Sequence, residues 1–304
     1  MAGKKKADQP KKKMMLIVNP KAGMKYKKTS VSEIAEYFAD HQYETAIYFT
    51  SPEYDAPFLV REHAKDFDIL ACCGGDGTVN EIVSGMMSVN CKIPLGYIPS
   101  GSTNDLAASL GISPNAKKAA KTLLTGKPKP FDVGSFDDSY FVYIASFGAF
   151  TDVSYSTPRE AKNLFGHAAY MMNAVKSMSR IRPYHIRVEA DGKAYEGDYI
   201  FGSITNSTSV AGTFRFENDM VDFADGKYEV MLIKRPSSLS NAAAICMSMI
   251  NRSYKHENIQ LFHASEITVY SDEPMDWALD GEHKKGDTTV KIRNHYRAVN
   301  IIRK

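Results

Sequence analysis

The run Asp68-Ile69-Leu70-Ala71-Cys72-Cys73-Gly74-Gly75-Asp76-Gly77-Thr78-Val79-Asn80-Glu81 constrains this chain more than any other. A short apolar segment ends in two glycines, an acid, a third glycine and a threonine. The text then turns amphipathic at Val79, Ile82, Val83 and Met86. That pattern predicts strand, tight turn, helix. Glycines let backbone N–H groups approach an anion with no Cβ in the way, and the helix start that follows carries partial positive charge. Asp76 adds an acid able to hold a metal ion beside a phosphate. The same letters also suit an ordinary turn in an α/β sheet, and spacing alone does not choose between the two readings.

The surrounding residues repeat the unit. Met14–Asn19 reads as a buried strand running into the polar turn Asn19-Pro20-Lys21-Ala22-Gly23. A helix is predicted from about Ser30 to Asp40, with Ser30 and Glu33 as a capping box. Thr45–Thr50 alternates as a strand, Asp55–Lys65 reads as a helix, and Asp68–Cys73 as the next strand. A βαβαβα order implies a parallel sheet with right-handed crossovers, whose ligands bind beyond the carboxyl ends of the strands. Asn19, Thr50 and Asp76 fall at such ends. A fourth strand, Pro94–Ile98, runs into Pro99-Ser100-Gly101-Ser102-Thr103-Asn104-Asp105 and a helix start at Leu106. Two polar strand-turn-helix units at consecutive strand ends favour a shared polyanion site. A helix over Ala116–Leu124 closes this half, and Gly126-Lys127-Pro128-Lys129-Pro130 reads as a linker.

The second half changes period. Strands are predicted at 140–147, 185–190, 195–205, 228–233, 266–270, 290–294 and 298–302, with Asp191-Gly192 and Asp225-Gly226 as turn signals. Helical stretches interrupt near 159–180 and 239–249. The first carries several methionines, whose ordinary role is core packing and whose flexibility also suits a lipid chain. The fold expected is α/β over 14–130, with a parallel-sheet nucleotide-binding domain, followed by an antiparallel β-sandwich over 131–304. The last strand is free to pack back on the first domain. Near the end, Trp277-Ala278-Leu279-Asp280-Gly281-Glu282 is a strand and a turn with two acids. Glu282 suits a solvated turn and equally a general base.

Composition bounds the function. The 304 residues suit two domains, and 43% hydrophobic with 24% charged residues describes a globular chain. The four cysteines have no metal spacing, and adjacent Cys72 and Cys73 in a strand fit a reducing interior. No apolar run reaches the roughly 20 residues of a membrane-spanning helix. Net charge is only +3, yet residues 1–13 hold six lysines against Asp8 with no apolar segment behind them. That tail reads as disordered and solvated, with weak attraction to an anionic membrane as the functional reading. The near-neutral body and the absence of aromatic interleaving argue against nucleic acid.

Taken together, these segments resemble the bacterial diacylglycerol kinase catalytic-domain family, soluble lipid kinases related to sphingosine kinases. The resemblance rests on Asn19-Pro20-x-x-Gly23, Gly74-Gly75-Asp76-Gly77-Thr78 with Asn80-Glu81, and Pro99-x-Gly101-x-x-Asn104-Asp105. Further matches are Asp132-Val133-Gly134, Asn206 with Ala211-Gly212, Asp225-Gly226 and Asp280-Gly281-Glu282. It covers nearly the whole chain after the basic tail. It implies a Rossmann-like nucleotide domain, a β-sandwich like that of NAD kinases, and an active site in the cleft between them, with ATP as donor and Mg²⁺ as cofactor.

By that resemblance Asn19, Pro20, Lys21, Ala22, Gly23, Thr50, Gly75, Asp76, Gly77, Thr78, Val79, Asn80, Glu81, Ser102 and Asn104 line the nucleotide site. Asp76 sits by the catalytic Mg²⁺ with Asp105 and Asp132 as helpers, and Glu282 deprotonates the lipid hydroxyl. A structural Mg²⁺ falls to the Asp225 carboxylate and to Asp222 and Lys227 through backbone oxygens. Two positions depart from the family pattern. Ser102 replaces a threonine and keeps the hydroxyl, whereas Ala108 stands where an arginine often meets phosphate.

The expected activity is phosphorylation of diacylglycerol or a related lipid alcohol by a cytoplasmic enzyme that docks transiently on the inner membrane face; a homodimer is compatible with it. An NAD kinase-like enzyme and a non-catalytic lipid- or nucleotide-binding regulator on the same fold are the alternatives.

Overall fold

The computed structural model describes residues 11–22, 31–149, 181–210, 214–217 and 219–304. Most of the lysine tail, Gly23, the Ser30 cap, the methionine-bearing stretch 159–180 and Ala211-Gly212 lie outside them. Contacts divide the chain into two units, one of Met1–Ala107, Gly111–Lys129 and Val299–Lys304, the other of Ala108–Leu110 and Pro130–Ala298.

The first unit alternates strand and helix. Its elements are β1 (Lys12–Val18), α1 (Val31–Asp40), β2 (Tyr43–Phe49), α2 (Ala56–His63), β3 (Ile69–Gly74), α3 (Asp76–Ser88), β4 (Leu95–Pro99), α4 (Asp105–Ser109) and α5 (Ala116–Thr125). Met14 to Val18 and Ile69 to Gly74 are buried without alternation, as expected for strands covered on both faces. β1 pairs in parallel with both β2 and β3, and β3 with β4. The order β4-β3-β1-β2 reverses direction between β1 and β3, so the topological switch point lies there. α2 starts on Asp55, whose carboxylate accepts from Phe58 N–H at 2.7 Å, with Pro57 in the first turn. Lys12 and Lys13 belong to β1 rather than to the tail. They pair in register with Tyr43 and Glu44, and Lys13 N–H donates to the Asp68 carboxylate at 2.8 Å.

Among the described residues the second unit is built of antiparallel pairs. It contains β5 (Lys127–Phe136), which begins in the first unit, then β6 (Ser139–Phe141), β7 (Ile144–Gly148), β8 (Tyr184–Ala190) and β9 (Lys193–Thr205). There follow β10 (Ser209–Val210), β11 (Phe214–Arg215), β12 (Tyr228–Lys234), α6 (Leu239–Ile250), β13 (Ile259–Ala264), β14 (Glu266–Ser271), β15 (Asp276–Leu279), β16 (Glu282–Lys285) and β17 (Thr289–Arg303). The long strand β9 links the two layers of a sandwich. Its first half pairs with β8, which continues to β14 and β17, and its second half lies between β7 and β12. Gly197, at φ +150°, allows the change of direction. Phe136, Phe141, Phe147, Tyr199, Tyr228 and Trp277 fill the space between the layers.

Several boundaries differ from the sequence reading. In the proposed linker 126–130, Gly126 caps α5 and Lys127 begins β5; its prolines cannot donate to a ladder, which made it read as a break. The single strand expected over 140–147 is two, interrupted at Val142 and Tyr143. The two strands expected at 290–294 and 298–302 are one, with Arg297 at φ +48° in between. The last residues of that strand, Val299 onward, belong to the first unit, where Ile301 pairs in parallel with Leu95.

Candidate active site

In the first unit the two polar turns meet through their backbones. β3 ends at Gly74, Gly75 caps α3 with no side chain of its own, and Asp76 opens the helix. A Cβ placed on Gly101 would lie 2.6 Å from the Cα of Gly75, and one on Gly75 would lie 3.1 Å from the Cα of Gly101. The glycines are there because the turns after β3 and β4 touch. Ser100 N–H donates to the Gly74 carbonyl at 2.6 Å and fixes that approach.

Asn19, at the end of β1, completes the site on the other side of the switch point. Its N–H donates to the Cys73 carbonyl at 3.0 Å, and its side-chain amide donates to Thr78 Oγ1 at 3.0 Å. Its Oδ1 accepts from Lys21 N–H at 2.9 Å, which shapes the turn holding Pro20, Lys21 and Ala22. Thr50 is tied in by its N–H, which donates to the Val18 carbonyl at 2.9 Å. The strand ends therefore converge as the sequence implied.

Asp76 is half-buried and held by two donors. Asp105 N–H reaches its Oδ2 at 2.9 Å, and the Tyr97 hydroxyl lies 3.3 Å from its Oδ1. The same hydroxyl lies 3.2 Å from Oδ1 of Asn104, so one proton serves two acceptors. Asn104, at φ +55°, accepts from Gly101 N–H and donates to the Gly101 carbonyl, both at 2.9 Å. Tyr97 was not singled out from the sequence: it sits in a five-residue apolar strand, and only its hydroxyl at the strand end hints at more.

Ser102 and Glu81 are exposed, and Gly77 and Asn80 are half-buried around this turn. Val79 lies deeper than its neighbours in the turn. Its side chain is in the core and its N–H donates to the Gly75 carbonyl at 3.1 Å. Burial pushes the Cys72 and Cys73 thiols up, Cys73 to about 11, and holds both in the thiol form.

In the second unit Glu282 stands exposed at the start of β16, after a hairpin turn in which Asp280 (φ +49°) and Gly281 (φ +88°) both take left-handed backbone. Asp280 is no ordinary turn acid. It is buried, and its carboxylate accepts from Val142, Tyr143 and Ile144 N–H at 2.6, 2.9 and 3.0 Å. Those three bonds replace strand pairing at 142–143 and explain the break between β6 and β7. They also fix the turn that presents Glu282.

Asp132 is fully buried, and its carboxylate accepts from Arg297 N–H at 2.6 Å and Gly226 N–H at 2.7 Å. Burial raises its pKa against those donors. Asn206 bridges the carbonyls of Asp132 and Phe223 at 3.3 Å each. Asp132 therefore anchors the 222–227 loop, with both its oxygens accepting backbone N–H bonds inside the second unit.

In the loop itself, Asp222 accepts from Ala224 N–H at 3.0 Å and Asp225 from Lys227 N–H at 2.9 Å. Beside them Glu229 is buried, and its Oε2 has no hydrogen-bond partner among the described residues. Burial, then the charges of Asp225 and Asp222, push its carboxyl up to about 8. Among the described residues no three His, Cys, Asp or Glu side chains gather as a metal site.

Two family models match the chain. The diacylglycerol kinase catalytic domain matches residues 13–136, and the YegS C-terminal NAD kinase beta sandwich-like domain matches residues 145–303. The chain thus belongs to the diacylglycerol kinase catalytic-domain family, and it is a lipid kinase. It is 30% identical over 293 residues to "Diacylglycerol kinase" of Bacillus subtilis (strain 168), covering 96% of each chain. With the protein of the same description from Staphylococcus saprophyticus it shares 26% over 274 residues, 90% of each chain.

A solved diacylglycerol kinase structure from Bacillus anthracis str. Sterne superposes with a TM-score of 0.71 at 21% identity, covering 96% of this chain and 97% of that one. Another structure from that organism gives 0.80 at 24%, covering 100% and 99%. At those identities the likeness is one of fold: parallel strands in the first unit and an antiparallel sandwich in the second. Family membership implies use of ATP with a divalent metal.

Proposed function

We propose that this chain transfers the γ-phosphoryl group of ATP to the hydroxyl of diacylglycerol or a related lipid alcohol, giving phosphatidic acid or its analogue and ADP. The observation that carries the reading is the Asp76 carboxylate, fixed by Tyr97 and Asp105 N–H beside the meeting of Gly75 and Gly101. Phosphoryl transfer is mostly positioning and charge stabilisation, and this turn offers both. The start of α3, capped by a glycine, points partial positive charge at the strand ends. Asn19, Lys21, Ala22, Thr50, Thr78, Asn80, Glu81 and Ser102 surround the same strand ends as candidates for the nucleotide.

Mg²⁺ is the proposed metal. It binds through one or two carboxylates and keeps several waters, which suits a site with Asp76 as its carboxylate. Asp105 is buried, and its N–H orients Asp76. For a structural Mg²⁺, the proposed carboxylate is that of Asp225 in the 222–227 loop. Backbone carbonyls of Asp222 and Lys227 and waters would complete its shell.

Glu282 is the proposed base. As the oxygen–phosphorus bond forms and the bond to ADP breaks, the hydroxyl proton passes to its carboxylate. Mixed micelles of diacylglycerol with labelled ATP and Mg²⁺ should yield labelled phosphatidic acid. No labelled lipid from a folded protein across a panel of lipid alcohols would overturn the reading, and NADP formation from NAD would replace it.

A further inference from the structure

Helix α6 has no charged residue in its twelve positions, Leu239-Ser-Asn-Ala-Ala-Ala-Ile-Cys-Met-Ser-Met-Ile250. Its inner face, with Ala242, Ile245, Cys246 and Met249, is buried. Its outer face is apolar too. Leu239 is 59%, Met247 48% and Ile250 47% exposed. At 100° per residue these three, with Ala243 between them, fall within an arc of about 80°. A surface helix ordinarily turns charged or polar residues outward, and one that is apolar all round is ordinarily covered.

The charges around the helix say what covers it. From Lys234 to His256 the chain carries Lys234, Arg235, Arg252 and Lys255 and no acid, with Glu257 next in sequence and Asp198 lining the hollow beside Lys234 and Arg235. Two cations precede α6 and two follow it, and among the described residues none of the four is in an ion pair. A second copy of the chain packed through this stripe about a two-fold axis would set these cations against their own kind. An anionic lipid surface attracts them and accepts the apolar stripe.

We propose that α6 with its basic flanks is a membrane-docking surface, lying in the plane of an anionic bilayer with Leu239, Met247 and Ile250 inserted between headgroups. The lipid-kinase reading supplies the motive, since the substrate resides in a bilayer, but the geometry and charge are independent of the chemistry at Asp76 and Glu282.

The test is binding of the full chain to vesicles without ATP. Phosphatidylglycerol–phosphatidylcholine vesicles and pure phosphatidylcholine vesicles are compared at low and high salt. Met247→Asp/Ile250→Asp should lower the partition coefficient on anionic vesicles about tenfold or more. Arg252→Gln/Lys255→Gln should lower it about fivefold or more and flatten its salt dependence. Circular dichroism and a melting curve show that each variant is folded; all substituted side chains are exposed.

Unchanged partitioning by folded Met247→Asp/Ile250→Asp would overturn the proposal and assign membrane binding to the lysine-rich amino terminus, which every variant retains. Loss of a dimer in sedimentation velocity, with vesicle binding intact, would overturn it in favour of a second copy. Because no turnover is measured, a failed kinase assay would leave the vesicle result standing.

Discussion

Single atoms decide the nucleotide turn. A methyl group at residue 101 would come within 2.6 Å of the Gly75 Cα and 2.9 Å of Asn104 Oδ1, and the nearer atom is backbone that cannot rotate away. Gly101→Ala should therefore destabilise the first unit by about 1–3 kcal/mol and weaken ATP binding, read by denaturant unfolding and by titration calorimetry. Wild-type affinity in the variant would mean that the two turns can part at no cost.

His295 offers a pH-dependent check on the described structure. Burial, and then the charge of Arg293, lower its pKa below the ordinary 6.5, and its Nε2 is buried without a hydrogen-bond partner among the described residues. The unfolded chain then binds the proton more readily than the folded one, so this group costs stability as pH falls below its unfolded pKa. The stability of the wild type should drop more than that of His295→Gln between pH 7 and pH 5. Parallel unfolding curves at both pH values would contradict the burial of the ring.

At the scale of elements, the hairpin of β15 and β16 carries the proposed base, and Asp280 holds it. Asp280→Ala would leave three backbone donors without their acceptor and replace a residue at φ +49°. A loss of about 3 kcal/mol is expected, with Asp280→Asn milder because it keeps one acceptor oxygen and tolerates the left-handed turn. Urea unfolding of the two variants measures the difference.

The sequence made the hairpin legible through Asp280-Gly281 and suggested Glu282 by resemblance. It did not disclose the inward carboxylate, because nothing in a turn signal tells whether the acid faces water or three N–H groups 136 to 138 residues away in the chain. Val142 and Tyr143 read as strand for the same reason: their periodicity is strand-like, and a distant side chain takes their donors. In the first unit period and turn residues are local, so β1 to β4 and α1 to α3 fell within a few residues of expectation.

Across the whole molecule, the parallel and antiparallel halves were visible in the switch of hydrophobic period, and the family's motifs lie in order along nearly the full chain. Less visible were features made by chain segments distant in sequence. Asp132 belongs to a recognisable motif, and nothing in that motif disclosed that its carboxylate accepts from Gly226 and Arg297 N–H and anchors a loop. Tyr97 carried no motif and stands beside the acid on which the proposed metal depends. Ala108, where an arginine often stands in the family, is exposed.

The central claim is that this chain moves a phosphoryl group from ATP to a lipid hydroxyl with Glu282 taking the proton. The most direct measurement follows label from ATP into diacylglycerol for wild type and Glu282→Gln, with nucleotide binding measured alongside. The account predicts labelled phosphatidic acid from the wild type, a fall in turnover of about 10²–10⁴ in the variant, and unchanged ATP affinity. A Glu282→Gln protein that turns over at the wild-type rate would contradict it.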